Sequence, residues 1–84
     1  MIETPEEEAE QEERIEQGKR LVEAFLRRKG REPGVWAGPQ GDRYLLRVGE
    51  RQLEVPDEAL GDSGGGGQLT AELRAFLDAA LRKL

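Results

Sequence analysis

Residues 61–68, Gly-Asp-Ser-Gly-Gly-Gly-Gly-Gln, carry the order most suggestive of chemistry: an acid, a hydroxyl, then backbone amides with no side chains around them. Two chemistries use such a string. A serine nucleophile needs a base to take its proton and a third group to orient that base. The chain has no histidine and no cysteine, so only Lys19, Lys29 and Lys83 remain as bases, and all three fall on helical segments rich in solvent-facing charge. A phosphate cradle needs Gly-Lys-Ser/Thr after its glycines. Here Gly67 is followed by Gln68-Leu69-Thr70, and Asp62 has the wrong sign for an anion. Neither chemistry is completed. The segment reads as a flexible connector at 61–68, with 62–67 expected to be the most mobile internal stretch, because successive glycines lose much entropy on ordering.

Three other groups of side chains are candidates for binding. The first is Trp36, Leu45, Arg43 and Arg47, expected together on one face of a small sheet. Tryptophan and arginine are enriched at the centres of protein interfaces, so this group is the expected protein-binding surface. The competing reading buries Trp36 as core. The second group is Lys19, Arg20, Arg27, Arg28, Lys29 and Arg31, a cationic cluster suited to phosphate. It defines an alternative, a nucleic-acid-associated module that also uses Arg43 and Arg47. The third is the glutamate-rich run over 6–13. It lacks the Asp-x-Asp-x-Asp-Gly spacing of a calcium loop, which leaves a solvated helix start or a surface for a basic partner. No spacing proposes a metal site or a cofactor, and the expectation is a non-enzymatic protein.

Charge and composition sharpen these choices. The net charge is −5, but residues 1–16 hold eight glutamates and one arginine, a local −7, whereas the remaining residues sum to +2. The acidity therefore belongs to one end and the body is near neutral. Arginine outnumbers lysine ten to three, the usage of a GC-rich genome and compatible with a thermophile. No apolar run approaches the ~20 residues needed to span a bilayer, and the opening is acidic where a secretory signal needs positive charge. The expected location is cytoplasmic, with no membrane partner.

The elements that must position these residues follow from periodicity. Thr4 as N-cap, Pro5 at the first helical position and Glu7 as the return partner form a capping box. Gly30 is a natural stop. Between them Ile15, Gly18, Val22, Phe25 and Leu26 form an apolar stripe with Leu21 beside it, and Glu10–Arg14, Glu16–Arg20 and Glu23–Arg27 fall at i,i+4. Residues 1–14 offer a core only Ala9 within the helical part, so they are expected to project or fray as an acidic start, with a single small domain over 15–84.

Period-two alternation predicts strands near 34–38, 43–48 and 51–55. Gly49-Glu50 suits a type II′ hairpin turn, which puts Leu46 opposite Leu53 and Tyr44 opposite Val55. A second turn over 39–42 pairs Ala37 with Tyr44 and Val35 with Leu46, leaving Trp36 opposite Leu45 on the other face. Residues 56–61 read as one short helical turn. Thr70 then caps a final helix with Leu73, Phe76, Leu77, Ala80, Leu81 and Leu84 on one side.

The expected fold class is α+β, in the order α-β-β-β-α: a three-stranded antiparallel meander, two helices packed on one face, and a long first helix with an acidic projecting start. The expected function is a small accessory or regulatory module that binds a protein partner through the exposed sheet face and its acidic helix. A nucleic-acid module and a structural subunit of a larger assembly are the alternatives. The chain is expected to be a monomer, or a homodimer through the Leu77–Leu81–Leu84 edge.

Overall fold

The computed structural model describes residues 5–83, with side chains from residue 9 onward. Six elements follow in order: α1 (Pro5–Arg28), β1 (Pro33–Gln40), β2 (Arg43–Val48), β3 (Arg51–Pro56), α2 (Asp57–Gly66) and α3 (Ala71–Arg82). The α-β-β-β-α order holds, and the sheet is the antiparallel meander β1-β2-β3. Its closing helical part is two helices, where one turn, a loop and one helix were predicted.

Long α1 behaves as its sequence dictates. Side chains 9–14 are exposed, and Ile15 is the first buried one among the described residues. The helix ends in a Schellman arrangement: Gly30, at φ 78°, donates its N–H to the Arg27 carbonyl (3.0 Å), and Arg31 donates to Leu26 (2.9 Å). The Thr4–Glu7 capping box lies outside the described residues and side chains, as does Leu84. Of the three expected i,i+4 ion pairs, Glu23–Arg27 forms at 3.8 Å. Glu16 instead holds Lys19 at 3.2 Å, one residue nearer than the expected Arg20.

β2 and β3 pair in the predicted register: Tyr44 with Val55, Leu46 with Leu53, Arg47 with Gln52, Val48 with Arg51. Gly49 takes φ 63° and among the described residues no non-glycine residue, Glu50 included, has positive φ, the sign pattern of a II′ turn. Leu46, Val48, Leu53 and Val55 are buried and meet Val22, Phe25 and Leu26 of α1, Leu60 of α2, and Leu73 and Leu77 of α3 in one core. Burying each such side chain contributes about 1.5–3 kcal/mol, and this cluster is the main source of stability.

β1 departs from its predicted register. Its eight residues run beside six of β2, and the pairs are Gln40–Arg43, Ala37–Leu45, Trp36–Leu46 and Pro33–Val48. Gly38-Pro39 stand against Tyr44 alone, and Gly34-Val35 against Arg47 alone. Each is a bulge. The turn is also shorter than expected, with Gly41 at φ 65° following a strand that extends to Gln40. Together these changes move the middle of β1 by one residue, and a one-residue slip exchanges the faces of a strand. Trp36 therefore lies beside Leu46 on the helix-covered face, partly buried against the core. The expectation that it shares a face with Leu45 is corrected.

The glycine-rich segment is corrected as well. Residues 57–66 are helical, and Gly67 at φ 75° ends the helix with its N–H on the Gly64 carbonyl. Glycine inside a helix costs about 1 kcal/mol relative to alanine, so tertiary contact must supply the difference. It does so through backbone approach. A Cβ on Gly64 would overlap the Arg14 carbonyl of α1, and one on Gly18 would overlap the Leu60 carbonyl of α2. Two antiparallel helices thus meet at a distance that only glycine permits. Ser63 is fully buried, and its Oγ accepts the N–H of Thr70 at 3.1 Å. That bond ties α2 to the start of α3, where Thr70 Oγ1 accepts from Leu73 N–H (3.2 Å) as the expected N-cap.

Candidate functional site

Pleat alternation decides what the sheet shows to solvent. With Leu46, Val48, Leu53 and Val55 turned toward the helices, Arg43, Leu45, Arg47, Gln52 and Glu54 occupy the opposite face. Among the described residues no helix covers this face: Arg43, Arg47, Gln52 and Glu54 are exposed and Leu45 is half-buried between them. Arg43 donates to Glu54 across the β2–β3 hairpin at 2.9 Å and also approaches Asp42 at 3.6 Å. Arg47 makes no ion pair among the described residues. Val35 stands beside it at the first bulge, 80% exposed. The surface is therefore an apolar spot, Leu45 with Ala37 and Val35, framed by one paired and one unpaired arginine.

Of the four residues expected to form the protein-binding patch, the structure brings Leu45, Arg43 and Arg47 together and sends Trp36 to the other side. There Trp36 has a different role. Lys19 of α1 lies 4.2 Å from the Tyr44 ring centroid and 5.7 Å from that of Trp36, a cation–π arrangement. Its side chain is only 14% exposed and its ammonium is shared with Glu16. The indole Nε1 of Trp36 is buried with no hydrogen-bond partner among the described residues.

The cationic cluster of α1 is divided by the same packing. Lys19 is spent on Tyr44, Trp36 and Glu16. Arg27 reaches Glu23 and, at 3.9 Å, Glu32. Arg20 and Arg31 are exposed elsewhere on the surface. Arg28 and Lys29 line a cleft of about 560 Å³ with Leu21, Phe25, Leu69 and Arg74, and Lys29 lies 5.5 Å from the Phe25 ring. Arg74 was not among the expected cations. Its arrival depends on how α3 docks against α1, for which a single sequence carries no local signal.

Ser63 has no nucleophilic environment. It is enclosed and accepts a backbone N–H, and among the described residues no side-chain base is hydrogen-bonded to it. Among the described residues no group of three acidic side chains is placed to hold a metal ion. No helix among them is long and apolar enough to cross a membrane. Comparisons of the chain with protein-family models, with curated proteins and with solved structures give no match.

Proposed function

We propose that this chain is a small, non-enzymatic interaction module that works in the cytoplasm and binds a protein partner on the outer face of its sheet, through Leu45, Arg43 and Arg47. The observation that supports the reading is the uncovered face itself. All the buried strand side chains point to the helices, whereas a leucine and two arginines stand on the open side. An arginine beside an apolar anchor is the composition favoured at the centre of protein interfaces. Arg47 carries the larger share, since Arg43 is already engaged with Glu54.

The test compares affinity capture from the native cell extract by the wild-type chain and by the double variant Leu45→Asp/Arg47→Glu, with Arg82→Glu as a distant charge control. The expected result is a partner retained by wild type and by the control and lost by the double variant. A partner retained equally by all three would remove the outer face from the function.

A second reading rests on the cleft that Arg28, Lys29 and Arg74 line together with Leu21, Phe25 and Leu69. Such a site suits phosphate, and it supports the nucleic-acid alternative. That reading expects oligonucleotide binding that weakens steeply with added salt. Absence of binding at low salt would remove it.

A further inference from the structure

The sheet has two edges, and they are not alike. β1 is interrupted by two bulges and carries Pro33 and Pro39, devices that blunt an edge against further pairing. β3 is regular over its length, has no bulge and no lysine, and meets proline only at its last residue. Its unpaired groups can be assigned. A two-residue hairpin turn is closed by a hydrogen-bonded pair, here Val48–Arg51, and bonding then alternates along the ladder. Arg51, Leu53 and Val55 therefore direct their amides to β2. Asp57 continues this parity, its N–H donating to the Asp42 carbonyl at 2.9 Å. Gln52 and Glu54 are left with N–H and C=O pointing outward at the free edge.

Beside that edge lies a groove of about 430 Å³. One wall is the edge itself, residues 51–54. The other is Phe76, Ala79, Ala80 and Lys83, the i, i+3, i+4, i+7 face of α3. Phe76 is 38% exposed there, and the two alanines leave room for an approaching chain. An open strand edge with an apolar groove beside it is the geometry of strand addition.

We propose that the occupant is β3 of a second copy of this chain, paired antiparallel across a two-fold axis at Leu53, giving a continuous six-stranded sheet. Charge selects both occupant and register. With the axis at Leu53, Gln52 faces the partner's Glu54 and Glu54 faces the partner's Gln52, so all four outward amide and carbonyl groups on each chain find partners and no like charges oppose. Moving the axis to Glu54 sets two glutamates face to face and brings Pro56, which has no N–H, opposite Gln52. Moving it to Gln52 brings Glu50 opposite the partner's Glu54 twice. Like charges directly opposite are destabilising. The Leu53-centred register is the one that satisfies the edge, and Phe76 of each copy supplies apolar contact. This assembly is independent of the outer-face reading, although it would double that face. A six-residue strand and one groove fall short of the roughly 1,200 Å² of the smallest standard interfaces, so the dimer is expected to be micromolar.

Sedimentation equilibrium of the full chain, from micromolar to millimolar concentration, tests the proposal with two variants of one exposed residue. Gln52→Lys places a lysine opposite the partner's Glu54 twice and should tighten the dimer roughly tenfold. Gln52→Glu places glutamate there twice and should weaken it by a similar factor. Neither touches a ladder bond. Within one chain Gln52 faces Arg47, so thermal stability measured at concentrations where the chain is monomeric should shift the opposite way: slightly down for lysine, slightly up for glutamate. A change in association therefore cannot be mistaken for a change in folding. A chain that remains monomeric at millimolar concentration overturns the proposal. So does a dimer whose dissociation constant is the same in both variants, which would place the contact on another face.

Discussion

The two hairpins of this sheet share β2 yet are built on different rules. Between β2 and β3 every residue has one partner, the turn is two residues with glycine at the first position, and alternation of apolar and polar residues reads directly as inside and outside. Between β1 and β2 eight residues face six, glycines mark both places where a residue is surplus, and alternation fails as a guide. The difference teaches what a bulge does. It leaves the strand in place and changes which side chains point inward. Trp36 reaches the core side because a single surplus residue separates it from the turn.

The sharpest way to break this comparison is to remove what the bulge delivers. Trp36→Ala should cost about 2–3 kcal/mol, below the 3–5 of a fully buried tryptophan because the ring is only partly enclosed, read as a lowered denaturation midpoint. Trp36→Phe should cost less than half as much, since the buried indole N–H that it deletes has no partner to lose. A stability unchanged by Trp36→Ala would return the residue to the surface and restore regular pairing of β1. The next test acts on the bulges themselves. At Gly38 an alanine would have to adopt φ 106°, with its Cβ 3.0 Å from the Gln40 nitrogen, and at Gly34 a Cβ would lie 2.7 Å from the Arg47 carbonyl. Each change is expected to cost about 1–2 kcal/mol in chemical denaturation. If either proves neutral, the strands do not touch as closely as the bulged register requires. The smallest effect belongs to the regular hairpin. Arg43→Ala breaks the 2.9 Å pair with Glu54, but both side chains are more than half exposed, so a loss of about 0.5 kcal/mol or less is expected, shrinking as salt is added. A larger loss would show that the outer face contributes to folding and is not free for a partner.

Much of the architecture was legible in residue order. The apolar stripe from Ile15 to Leu26, the glycine stop at residue 30, the Gly49-Glu50 turn with its register and the Thr70 cap all rest on signals within a few residues of one another. Short-range geometry determines such features, because a turn type or a cap is satisfied locally. Of the candidate surface, Leu45, Arg43 and Arg47 were legible for the same reason: their face is fixed by the regular hairpin. Trp36 was not, because its face depends on counting residues across the Gly38-Pro39 bulge, whose glycine also reads as an ordinary turn position. Arg74 was not, because it comes to line the same cleft as Arg28 and Lys29 only through the docking of one helix on another.

The glycine-rich stretch shows the division most plainly. The sequence alone shows that residues 61–68 complete neither a histidine-based serine triad nor a P-loop, since the chain has no histidine and Gly67 is followed by glutamine where a P-loop has lysine. It also determined the α+β order and the segregation of acid to one end. It could not determine that the glycines form a helix, because helix propensity argues against it at every one of those positions. Tertiary structure decided that, through the contact of Gly64 with Arg14 and of Gly18 with Leu60. The absent side chains, costly to an isolated helix, are what allow two helix backbones to touch.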